Sequence, residues 1–134
     1  MAKACLGLSA FLVLALGITA PASAEPVSWD QARVTAIAQQ LVAACNAWQA
    51  AVLRQPEAGP RLQQNARTLH DQSTVLAAHL AEGKDRSQTL DYYRGLREVV
   101  DDTEELSVHA PFDELSQGAW AKVADLMGQL APYF

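Results

Sequence analysis

Cysteine is nearly missing from this 134-residue chain, which has two, Cys5 and Cys45. Cys5 lies upstream of the one long apolar run, so a chain trimmed after that run keeps Cys45 alone and has no intramolecular disulfide. Basic residues are scarce as well. Ten Lys and Arg face fifteen Asp and Glu, giving a net charge of −5. That balance argues against nucleic acid and anionic membrane surfaces as partners, because both attract concentrated positive charge. Sustained alternation of apolar and polar residues is absent after residue 25, which removes the pattern of a half-buried strand. The motifs C-x-x-C-H and H-E-x-x-H, a nucleophile elbow and a phosphate-cradling glycine loop are also missing. Covalent haem attachment and the familiar hydrolytic and nucleotide-binding chemistries therefore have no support, and catalysis is not expected.

The N-terminus has the form of a secretory signal peptide. Lys3 precedes an apolar run from Leu6 to Ile18, and Ala22-Ser23-Ala24 supplies an A-x-A cleavage site before the polar Glu25-Pro26. The run is shorter than the roughly 20 residues of a lasting membrane span. A lipoprotein would need its cysteine just after the run, and Cys5 stands before it. The sequence therefore predicts cleavage of residues 1–24, a mature domain of residues 25–134 with no membrane anchor, and a periplasmic or secreted location. Losing Lys3 and no acidic residue takes the net charge from −5 to −6.

The remainder is long enough for one domain with one core. Four amphipathic stripes run along it at alternating steps of three and four. The first is Val34, Ile37, Leu41, Ala44, Trp48 and Ala51, started by a capping box at Ser28 and Gln31 and ended before Pro56. The second is Leu62, Ala66, Leu69, Ser73, Leu76 and Leu80, closed by Gly83. The third follows Asp85 and carries Tyr92, Leu96, Val99, Thr103 and Leu106 inward, widened by Tyr93 and Val100. The fourth follows Pro111 and holds Phe112, Ser116, Ala119, Val123, Leu126 and Leu130, with Asp113 and Glu114 in its first turn. Short breaks between helices of matched length predict an all-α, antiparallel up-down-up-down four-helix bundle.

Few side chains suggest chemistry. Cys45 and His70 fall at equivalent flanking positions of neighbouring helices, at similar distances from the turn near Pro56, and His109 is a plausible further donor. Together the three are candidate ligands of a Zn²⁺ or Cu(I) site. Against this, a free cysteine on an apolar helix face is most often an inert core residue, and a disulfide bridge between two chains is the next alternative. Glu98, Asp101, Asp102 and Glu105 share a helix face and read as a solvated surface more than a cation site. His70 and His79 flank their stripe on opposite sides, and Met127 borders the fourth, so an axial haem ligand is not evident. Gly95, Gly118 and Gly128 lie inside helices, where close helix approach is the usual reason for a glycine. No cofactor is expected. The reading is an exported protein that acts by binding or interaction with a protein or small ligand, through an exposed apolar helix face or the C-terminal Tyr133-Phe134. A small metal or cofactor carrier using Cys45 with His70 is the alternative.

Overall fold

A computed structural model describes residues 25–110 and 112–134. The expected signal peptide, with Cys5, and the helix-breaking Pro111 lie outside the described residues. Within them the chain is all-helical: four α-helices, α1 (Gln31–Leu53), α2 (Pro60–Ala81), α3 (Arg86–Ser107) and α4 (Glu114–Leu130), and no strand. Short 3-10 turns at Pro56–Ala58 and Ala131–Tyr133 follow α1 and α4. No described helix is long and apolar enough to cross a membrane.

The helix ends follow from capping chemistry. Asp30, not Ser28, caps α1, its carboxylate accepting from the Arg33 amide. Gln31, expected to complete a box with Ser28, instead donates to Leu80 O and Lys84 O, both at 2.9 Å. The acidic cap is the stronger acceptor, and it frees Gln31 for the far end of α2. Asp85 and Gln88 form a reciprocal capping box on α3, and Asp113 caps α4 through Ser116 N. Gly83 closes α2 at φ 88°, a left-handed conformation that glycine adopts without a Cβ clash. At 17 residues α4 is shorter than the 22 or 23 of the others, so the matched lengths expected from sequence hold for three helices.

The first and second stripes are buried throughout, and the fourth is buried except for half-covered Phe112 and Ala119. The third is rotated. Thr89, Tyr93, Leu96, Val100 and Thr103 point inward, whereas Tyr92 is 42% exposed and Val99 and Leu106 are only half-buried. Tyr93 takes the inner position because it stacks on Phe134, with ring centroids 4.4 Å apart and planes 5° from parallel.

Hydrogen bonds tie the beginning of each helix to a neighbour. Gln31 reaches the end of α2. Asn65, near the start of α2, donates to Asp102 at 2.7 Å near the end of α3, and Arg61 pairs with the same carboxylate. Arg86, at the start of α3, donates to Tyr133 O and Phe134 O at the end of the chain. Ser116, in α4, donates to Gln55 Oε1 at 2.9 Å in a buried bond just past α1. Thus α1 packs on α2 and α4, and α2 on α3, while α3 and α4 have few close backbone approaches.

Candidate functional site

Cys45 is fully buried in the core, on the helix turn between Leu41 and Trp48. Burial pushes its thiol up to about 11, only partly opposed by the neighbouring Ser73 hydroxyl. Desolvation disfavours the thiolate, so this group is a poor nucleophile and a poor ligand near neutral pH. Ser73 also donates to His70 O at 3.0 Å, which places Cys45 one turn along α2 from His70. The imidazole of His70 is half-exposed, with Nδ1 3.9 Å from the Asp71 carboxylate. His109 lies exposed in the turn after α3, beside a groove that includes Pro60 and Leu106. Equivalent helix positions thus bring Cys45 to the neighbourhood of His70 without making a ligand set with His109: among the described residues no three His, Cys, Asp or Glu gather to hold a metal ion.

The other sequence candidates have structural partners. Asp102 is held by Arg61 and Asn65, and Asp101 lies 3.2 Å from Arg97 Nε, so half of the carboxylate row serves pairs within and between helices. Met127 is core. Tyr133 and Phe134 are half-buried: both pack T-shaped against Trp29, and Phe134 also stacks on Tyr93. Close helix approach does not account for the interior glycines. A Cβ on Gly118 or Gly128 would meet nothing within 4 Å, and one on Gly95 would only touch Gln72 Oε1 at 3.9 Å.

Two surface grooves were not evident from the stripes. The larger, about 860 Å³, runs between the second half of α1 and the first half of α4. Its floor is Ala47, Ala50, Gly118 and Ala119. Leu115, 58% exposed, stands at its side, and Arg54 faces Asp113 and Glu114 across it. The hydrogen bond from the Ser116 amide, and then the nearby Arg54 charge, hold Asp113 below the usual carboxylate range. The smaller groove, about 310 Å³, lies between α2 and α3 and is lined by Asp71, Gln72, Val75, Asp91, Tyr92 and Gly95.

Charge is distributed unevenly over the helices. α1 carries a single charged residue, Arg33, and α3 carries nine. From Gln39 to Leu53 the exposed positions of α1 are Ala, Asn, Gln and Leu only. A solvated helix face ordinarily carries charges of both signs, so the α1–α4 side differs in kind from the α3 side. In comparisons with protein families, curated proteins and solved structures, nothing matches this chain.

Proposed function

We propose that the chain is exported, loses residues 1–24, and works in the periplasm or outside the cell as an antiparallel up-down-up-down four-helix bundle of residues 25–134. It acts by binding, not by catalysis, and its partner is a helix of another envelope protein seated in the α1–α4 groove. The bundle reading is supported by the hydrogen bonds that join the start of each helix to the end of its neighbour. The observation that carries the binding reading is the uncharged stretch of α1 beside a groove floored by alanine and glycine. Small side chains let a second backbone approach closely, and a surface without charge is cheap to desolvate. Gly118 supports the same reading, since nothing among the described residues fills the space beside it although a glycine there weakens the helix.

A photo-crosslinking residue placed at Ala47 or Leu115, with Glu98 on α3 as control, tests this in cells. A discrete adduct at the groove positions and none at Glu98 is expected. Equal crosslinking at all three sites, or none, refutes the groove. N-terminal sequencing of the exported protein, expected to begin at Glu25, checks the processing, and retention of residues 1–24 refutes it. The carrier alternative makes Cys45 and His70 the first ligands of a bound metal. Elemental analysis of native protein decides it: stoichiometric metal that is lost on Cys45→Ala supports a carrier, and its absence supports the binding module.

A further inference from the structure

The groove between α2 and α3 has a different character from the one on α1 and α4. Val75 and Tyr92, 43% and 42% exposed, are the large apolar side chains left open in the middles of their helices, and both line it. Its only charged lining is two carboxylates, Asp71 and Asp91, beside the Gln72 amide and the Tyr92 hydroxyl. Gln72 Oε1 is buried and has no hydrogen-bond donor, the only side-chain acceptor so placed among the described residues. It lies against Gly95, where the missing side chain leaves the floor open. Neither Lys nor Arg lines the groove; Arg94 stands beside it, 3.9 Å from Asp91, and the His70 ring is 3.9 Å from Asp71. The Tyr92 ring is held by His79, with centroids 4.5 Å apart, so an aromatic face is presented in a fixed orientation.

We propose that this groove binds a guanidinium or primary ammonium group carried on an unbranched alkyl stem. Such a group is cationic and all donor, which complements a lining whose only charges are carboxylates and whose Gln72 oxygen lacks a donor. The stem covers Val75 and the groove wall, the cation lies over or beside the Tyr92 ring, and the two carboxylates flank it. A turn of the Gln72 side chain toward the groove lets an N–H group of the cation supply the donor that Gln72 Oε1 lacks. A guanidinium fits better than an ammonium, because its planar fork stacks on an aromatic ring and addresses several acceptors together. The net negative charge of the chain and the acidic α3 raise the local concentration of any cation. The same chemistry has two sources, a free amine and the arginine or lysine side chain of a peptide. This inference does not depend on the α1–α4 groove.

The test is an amide-shift NMR titration of the purified protein with agmatine, cadaverine and a blocked Gly-Gly-Arg-Gly-Gly peptide, with butylurea as the uncharged control. Saturable shifts are expected at Gln72, Val75, Tyr92 and Gly95, tighter for agmatine than for cadaverine, weakened by salt, and absent with butylurea. Asp71→Asn with Asp91→Asn should weaken binding at least about tenfold, and Tyr92→Ala should do the same while Tyr92→Phe retains it. All of these positions are at the surface, and unchanged circular dichroism confirms that each variant is folded. A peptide bound at least tenfold more tightly than agmatine identifies a protein side chain as the source, and the reverse identifies a free amine. No saturable shift at these residues at millimolar cation overturns the proposal. Equal binding of butylurea, or affinity unchanged in the double aspartate variant, also overturns it.

Discussion

Trp48 is the largest fully buried side chain, and it contains a contradiction that mutation can resolve. Its ring packs on Trp120, with centroids 4.7 Å apart, and meets Phe112 edge-on at 6.4 Å. Its Nε1, however, is buried with no hydrogen-bond acceptor among the described residues. Trp48→Ala removes the ring and leaves a cavity, which costs about 3 to 5 kcal/mol, and loss of two aromatic pairs at about 0.5 to 1.5 kcal/mol each offsets the relief from deleting the unpaired Nε1. Trp48→Phe behaves differently. It keeps a six-membered ring against Trp120 and leaves a smaller cavity, a loss of about 1 to 2 kcal/mol by the same cavity reasoning. It also deletes an unpaired buried donor, whose desolvation burdens the native state by about 1 to 3 kcal/mol. The two effects nearly cancel. Trp48→Phe should therefore change stability by less than about 1 kcal/mol, against more than about 3 for alanine. Urea titrations followed by far-UV circular dichroism measure both, since that signal does not depend on the indole being replaced. A Trp48→Phe loss above about 2.5 kcal/mol would mean that Nε1 has a real partner, such as a buried water, and would refute the argument.

Cys45 should label slowly with a thiol reagent in the folded protein and fast in denaturant, and rapid native labelling would show that the thiol is accessible. Because burial raises its pKa from the ordinary 9.0 to about 11, the unfolded chain ionises first; stability should be level below about pH 9 and fall between about pH 9 and 11. Cys45→Ala should remove that part of the alkaline decline, and an unchanged profile would refute the assignment. Gly118→Ala and Gly128→Ala should each stabilise the free protein by about 0.5 to 1 kcal/mol, since alanine is the better helix former and nothing among the described residues obstructs its methyl group. A loss of stability in the same urea assay would indicate packing at these positions.

Most of the secondary structure was legible from short-range information. The steps of three and four along Val34 to Ala51 and Leu62 to Leu80 identify buried helix faces because every residue on them is apolar or small, and their burial is complete. Asp85 and Gly83 were legible as helix ends because capping is a local hydrogen-bond or backbone-geometry problem, whereas Asp113, expected inside the first turn of α4, is its cap. The cap of α1 was not. Ser28 and Asp30 are both good caps, and the choice depends on Gln31 finding the carbonyls of Leu80 and Lys84, which lie far away in sequence.

The same division runs through the core and the candidate sites. On α3, Tyr92 and Tyr93 fit the step pattern equally well, because either can precede Leu96 by three or four residues. Only the stacking of Phe134 on Tyr93 turns the helix so that Tyr92 faces outward. The sequence by itself determined that the chain is helical, where most helices stop, and that α1 is nearly uncharged while α3 is not, since these are properties of neighbours along the chain. The rotation of α3, the position of Cys45 beside Ser73, and the two grooves were decided by tertiary structure. Each depends on which side chains from separate helices meet, and that is settled by packing among residues many turns apart.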